Sequence, residues 1–270
     1  MKVYVITGAS DGIGAELARQ IAVRDGTGAA LVLAARSEDK LADVAAACAV
    51  HGAQTLVQRC DVALAADCRA LVDAAVARFG RIDTLVNNAG MSAHALFEQV
   101  DELGWTRRLM DINFWGAVQC TQAALPHLQA SRGRIVTVSS LAGLAGVPGR
   151  TAYCATKFAL AGFFEALRVE LAAQGVSVTL VYPGVVATQT RVRGFNAAGQ
   201  PAGKSGLDEA GAMTVAECAR LMLQGMDRRQ RDVVMTTRGK LGRWLKLIAP
   251  RVVDRIVLAA LARETAARTP

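Results

Sequence analysis

No apolar run in this chain reaches the roughly 18 residues that a membrane-spanning helix needs. Cysteines at 48, 60, 68, 120, 154 and 218 form no CxxC pair and no Cys/His metal spacing, so they read as core or partly buried thiols and no metal site is expected. Pro/Gly/Ser-rich linkers, repeats and low-complexity segments are also missing. A length of 270 residues therefore reads as one domain able to bury a substantial core. Aromatic residues interleaved with cations are absent, as is any evident reading helix, which argues against nucleic acid as a partner. No signal peptide precedes the first strand, since Met1 leads directly into it. The expectation is a cytoplasmic, reduced protein with membrane-surface contact left open.

What is present is a repeating alternation. Apolar runs at 2–6, 29–34, 54–58, 82–86, 134–138 and 176–182 read as buried strands, with helical patterns at 12–24, 38–50, 64–79, roughly 101–128 and 152–173 between them. Such alternation implies right-handed crossovers and an α/β fold: a doubly wound, Rossmann-type parallel sheet with helices on both faces. Ligands in such folds bind beyond the carboxyl ends of the strands. The first strand ends in Thr7-Gly-Ala-Ser-Asp-Gly-Ile-Gly14, followed at once by a helical stretch. Strand, glycine-rich turn and helix put backbone N–H groups and the positive end of a helix dipole where a phosphate can sit. Gly8 permits the tight turn, Gly12 lets backbone approach a pyrophosphate, and Gly14 allows close helix–strand packing, with Ser10, Asp11 and Ile13 in the same turn.

Farther along, Tyr153 and Lys157 are four residues apart in a helical pattern that runs on through Leu171. Positions i and i+4 share a helix face, so phenol and ammonium point into one space. A phenol has a reference pKa of about 10, and a fixed ammonium beside it stabilises the phenolate, which makes a usable general acid or base. The pair recurs by chance on exposed helices, and its weight comes from the company it keeps.

That company is specific. Thr-Gly-x-x-x-Gly-x-Gly, Asn87-Asn-Ala-Gly90, Asn113, Ser140, Tyr153-x-x-x-Lys157 and Pro183-Gly184 stand in the order and spacing of the short-chain dehydrogenase/reductase family, which this chain resembles from residue 1 to about 190. The resemblance implies that Ser140, thirteen residues before Tyr153, hydrogen-bonds the substrate oxygen. It implies that Tyr153 donates a proton to that oxygen as hydride arrives, that Lys157 holds the nicotinamide ribose, and that Asn113 supports a water linking Lys157 to solvent. Asp61 would bind the adenine amino group with Val62 over the ring, and Asp61 could equally be the N-cap of the helix that follows. Asn88, Ala89 and Gly90 would pass close to the cofactor. Pro183, Gly184, Val186 and Thr188 would embrace the nicotinamide. A homodimer or homotetramer through helices 101–128 and 152–173 is the family's usual assembly.

Cofactor choice is read at the end of the second strand. NAD-selective sites place an acidic residue there, whereas this chain has Ala35 followed by Arg36 and Ser37. A guanidinium pairs with a 2′-phosphate that a carboxylate would repel, so NADP(H) is the expected cofactor. Arg36 could instead be a solvated residue at the start of helix 38–50. For the substrate, Met91, His94, Leu141, Val147 and, in the segment 189–211, Phe195 are the candidate pocket residues. Their mostly apolar character points to a hydrophobic ketone or aldehyde, or the corresponding alcohol. Arg191-Val-Arg-Gly-Phe-Asn196 mixes two cations with an aromatic, a candidate lid that reads otherwise as a solvated loop.

Charge is the last asymmetry. Residues 228–268 hold eleven Lys/Arg against three Asp/Glu, which is the whole of the net +8, while the remainder holds twenty of each. Residues 1–238 read as the dinucleotide-binding and catalytic part, and 239–270 as a basic amphipathic helical extension of the same domain. Leu241, Trp244, Leu245 and Ile248 form a stripe at i, i+3, i+4 and i+7 beside Lys240, Arg243 and Lys246, and a second apolar helix, 252–261, follows Pro250. A basic helix carrying Trp suits a membrane interface, through 239–266, as well as it suits a lid or a subunit contact. With Arg229-Gln-Arg-Asp-Val-Val234 before it, this tail loosely resembles that of membrane-associated reductases of steroids, retinal or keto-lipids. A 3-ketoacyl thioester reductase and an NADPH-binding regulatory protein are the alternatives.

Overall fold

The computed structural model describes residues 1–205 and 211–266. Seven parallel strands carry the fold: β1 (Lys2–Thr7), β2 (Ala29–Ala35), β3 (Gln54–Arg59), β4 (Thr84–Asn87), β5 (Arg134–Val138), β6 (Ser177–Tyr182) and β7 (Asp232–Val234), in the order β3-β2-β1-β4-β5-β6-β7. The central strands are buried along nearly their whole length, because crossover helices cover both faces of a parallel sheet. On one face α1 (Gly12–Asp25), α2 (Glu38–Ala49) and α7 (Val215–Asp227) pack Leu17, Leu41 and Met222 around Tyr4 and Ile6. On the other, α3 (Ala65–Phe79), α5 (Gly116–Ser131) and α6 (Thr151–Glu170) pack Leu71, Cys120 and Phe164 around Val3 and Val5. Order reverses between β1 and β4, so the cleft where ligands bind in such sheets opens above their carboxyl ends.

Two departures from the sequence reading bear on the site. The helical stretch expected over 101–128 begins only at Gly104, as α4 (Gly104–Met110), and runs into α5 through a π-helical turn, Asp111–Trp115, that contains Asn113. Such a turn inserts a residue into the helical ladder and re-aims the side chains on it. The second departure is the pair α7 and β7, absent from the expected elements. The signal for α7 was Thr214-Val-Ala-Glu217 before an apolar stripe: the Thr214 hydroxyl accepts the Glu217 N–H at 3.1 Å, as in a capping box.

After β7 come α8 (Thr237–Ile248) and α9 (Pro250–Ala266), where Pro250 occupies the first helical turn, the position that tolerates it best. α8 is docked on the catalytic half. Lys246 donates to the Leu144 carbonyl at 2.9 Å and sits 4.7 Å over the Phe158 ring, and Arg243 pairs with Asp232 at 2.8 Å. α9 packs on α8. Arg268, the last cation of the basic stretch, and 206–210 of the expected pocket segment lie outside the described residues.

Candidate active site

A cavity of about 480 Å³ opens at the carboxyl ends of the strands, and nearly all the motif residues meet on its walls. At the floor, Gly8 and Gly12 take positive φ (65° and 54°), a conformation that side chains disfavour. A Cβ on Gly8 would stand 2.8 Å from the Ala89 backbone, and one on Gly14 would collide with the Gly8 carbonyl and the Asn88 amide. The glycines thus let three segments close to backbone-on-backbone distance. Gly14 does so from beneath, since it is buried and off the cavity wall.

Thr7 ties these segments together. Its Oγ1 accepts the Asn88 and Ala89 N–H groups at 3.1 Å, while Asn88 Nδ2 donates to the carbonyls of Thr7 and Gly8. The first turn of α1 carries no side-chain cap: Asp11 sits at the N-cap with extended backbone but its carboxylate does not turn inward. Uncapped N–H groups at a glycine-lined helix N-terminus are the cradle an anionic phosphate would fill. The residues present therefore fit a dinucleotide.

Around it, Arg36 and Ser37 leave β2 at the cavity edge, with no carboxylate in ion-pair distance of Arg36 among the described residues. Ser37 stands at the N-cap of α2 without using its hydroxyl there. Asp61 and Val62 line the cavity as well. Asp61 is not the N-cap of α3, a position held by Leu64; its carboxylate accepts the Ala63 N–H at 3.1 Å and pairs with Arg108 at 2.8 Å. The expected N-cap role of Asp61 is therefore not realised: the chain runs on to Leu64 before the helix begins, and the carboxylate closes a local turn instead. Pro183, Gly184, Val186 and Thr188 form the opposite wall.

Ser140, Tyr153 and Lys157 line one end of the cavity. The two neighbouring serines, both on the cavity wall, have different partners. Ser139 is buried and donates to the Lys157 carbonyl at 3.1 Å, whereas Ser140 Oγ accepts from the Ala142 N–H at 3.2 Å and keeps its own proton to give. Lys157 is buried, its Nζ donating to the Val138 carbonyl at 2.9 Å and lying 5.6 Å from the Tyr153 ring centre. Burial holds its ammonium below the usual lysine range; Tyr153 works against that shift and Arg150 with it.

Asn113 does not line the cavity. The π turn points its amide at Met91, whose N–H it accepts at 2.7 Å and whose carbonyl it donates to at 2.9 Å, and at Thr156 Oγ1 at 3.1 Å. It thereby clamps the loop after β4 to α6. A Cβ on Gly90 would stand 3.3 Å from Asn113 Oδ1 and 3.7 Å from Lys157 Nζ, so this glycine keeps a small space open between the two groups.

Of the expected pocket residues, Met91, Leu141 and Val147 line the cavity; His94 and Phe195 do not. His94 packs against Gly149, and Phe195 stacks 5.8 Å from Trp105 while its backbone pairs with the loop after β4. Sequence reasoning passed over Arg150. Its guanidinium lies 4.3 Å over the Tyr153 ring and donates to Ser92 Oγ at 2.6 Å. Its place three residues before Tyr153, one helical turn away, was the available signal.

Geometry and comparison agree on the class. The model of the short chain dehydrogenase family matches residues 2–197, and this chain belongs to that family of oxidoreductases. Among curated proteins it is 40% identical over 259 residues to 11-beta-hydroxysteroid dehydrogenase A of Sesamum indicum, covering 94% of this chain and 73% of that one. With 11-beta-hydroxysteroid dehydrogenase 1A of Arabidopsis thaliana it shares 38% identity over 260 residues, at the same coverage. Among solved structures, an alcohol dehydrogenase from the archaeon Thermococcus sibiricus, complexed with 5-hydroxy-NADP, superposes with a TM-score of 0.74 at 26% identity, covering 87% of this chain and 94% of that one.

Proposed function

We propose that this protein is an NADP(H)-dependent reductase of a hydrophobic ketone or aldehyde, interconverting it with the alcohol. The observation that carries the reading is the convergence of Ser140, Tyr153 and Lys157 at one end of a glycine-floored dinucleotide cleft. NADP(H) supplies or accepts the hydride. The chain's own residues do the rest: the α1 N-terminus and Gly8–Gly12 hold the pyrophosphate, and Arg36 with Ser37 hold the 2′-phosphate in place of a carboxylate. The Ser140 hydroxyl donates to the substrate oxygen and fixes it beside the Tyr153 phenol, which gives that oxygen its proton as general acid. Lys157, freed from the Val138 carbonyl, turns to the nicotinamide ribose. The space beside Gly90 accommodates a water between Lys157 Nζ and Asn113 Oδ1, the start of a proton path to solvent.

A lipophilic substrate is supported by Met91, Leu141, Ala142, Val147 and Val185 on the wall beside Tyr153. The hydroxysteroid names of the relatives favour a steroid-sized or long-chain carbonyl over a small one. The protein works as a homo-oligomer through α5, the π turn before it and α6, where Trp115 of the turn and Phe163 of α6 remain exposed beside Phe114. The site of action is the cytoplasm and the membrane surface, which α8 meets with Leu241, Trp244 and Ile248. Among the described residues no helix is long and apolar enough to cross a membrane.

The test is NADPH and NADH consumption against carbonyls ranging from small diketones to steroid, retinal and long-chain 3-keto substrates, with Tyr153→Phe alongside. Turnover by the wild type alone, best with NADPH and with lipophilic carbonyls, is the expected result. Preference for NADH, or turnover that survives in the variant, overturns the reading.

A further inference from the structure

The substrate-side loop returns to the cofactor floor at one point. Arg193 reaches across the cleft to Asp11, Nη1 to Oδ2 at 2.6 Å, and both line the cavity. The arginine is held there by its neighbours. Gly194 is packed against Ser92 so closely that a Cβ would meet the Ser92 carbonyl at 2.7 Å. The Phe195 N–H donates to Ser92 O at 3.0 Å, and the His94 N–H to Phe195 O at 2.9 Å. On the other side of the turn, Thr188 lies over Gly12, 3.4 Å from where a Cβ would be.

Asp11 poses an electrostatic problem. A carboxylate at a helix N-terminus is favourable in the empty protein, because it meets the positive end of the dipole. The same place is where a pyrophosphate dianion must sit, and a fixed anion beside it opposes binding. Asp11 does not cap α1, so its charge is not spent on the helix N–H groups. We propose that Arg193 is a positioning residue for the dinucleotide: by pairing with Asp11 it cancels the carboxylate that would repel the pyrophosphate, and so makes the substrate-side loop part of the cofactor site. The inference rests on the dinucleotide reading above but not on the choice between NADP and NAD, since both carry the pyrophosphate.

The experiment is a double-mutant cycle on the full chain, reading Kd for NADPH and NADH by cofactor fluorescence in Arg193→Ala, Asp11→Asn and the double variant. Wild-type binding is the control on which the cofactor reading itself stands. Arg193→Ala should weaken both cofactors about tenfold at low salt, the order of one uncompensated charge at partial exposure. Removing the carboxylate as well should restore binding to within about threefold of the wild type, because the repulsion goes with it. Added salt should shrink the single-variant defect. Unchanged affinity in Arg193→Ala overturns the proposal. So does a double variant as weak as Arg193→Ala, which would mean that the guanidinium binds phosphate directly or only shapes the loop.

Discussion

The glycine turn and α8 are both short, both lie near the active site, and are built on opposite principles. In the turn, backbone meets backbone, and at Gly8 and Gly14 there is no room for a methyl group. In α8, contact with the body runs through a few long side chains, Arg243 to Asp232 and Lys246 to Leu144 and Phe158, while Leu241, Trp244 and Ile248 stand 67%, 62% and 82% exposed. Close packing leaves one residue type at each position and therefore a motif. An amphipathic helix needs only a pattern, and many sequences supply it.

The sharpest way to test that contrast is at the proposed chemical centre, where a single hydroxyl is assigned the proton transfer. Tyr153→Phe should lower kcat by about 10³-fold, within the range of general acid catalysis, with the Kd for NADPH unchanged. A loss below tenfold would detach the phenol from proton transfer. Next comes packing: Gly14→Ala should cost about 1–3 kcal/mol of stability through overpacking against the Gly8 carbonyl, read as a lower midpoint in urea. An unchanged midpoint would show that the turn has slack.

The tail should respond more gently. Trp244→Glu, on the exposed face, should weaken partition to anionic vesicles about tenfold and leave kcat on a soluble carbonyl within about twofold, since burying an aromatic is worth a few kcal/mol at most. Equal vesicle binding would assign that face to a subunit contact instead.

The smallest effect expected is a pH dependence at the far end of β1. Burial raises the Asp25 carboxyl, but hydrogen bonds from Arg24 and Tyr4 outweigh it and hold the group below its ordinary range. A depressed carboxyl contributes stability above its unfolded value of about 3.9 and loses it as pH falls through the folded one. The stability gap between wild type and Asp25→Asn should therefore begin to narrow as pH falls below about 4. A gap that stays constant from about pH 6 down to about pH 2 would assign it to packing.

Six strands and the helices between them were legible, because a parallel sheet covered on both faces needs continuous apolar runs at a regular spacing. β7 escaped because it is three residues long, and α7 because its signal is one capping box. Ser140 was preferred to Ser139 through the family's separation from the tyrosine, and the structure gives the two hydroxyls different partners. The routes of Asn113, Arg150 and Arg193 were not legible, since each acts on a residue distant in the chain or at a helical offset that many residues share.

The sequence by itself determined the strands, the glycine turn, the order of the motifs and the confinement of excess positive charge to the tail. These are consequences of local backbone freedom, of periodicity and of composition. The tertiary structure alone decided that a π turn aims Asn113 at Met91, that Arg150 lies on Tyr153, that Arg193 closes on Asp11 and that the basic helix braces the turn ending at Leu144. Those contacts join segments far apart in the chain or set by a break in helical register, and only folding brings such groups within reach.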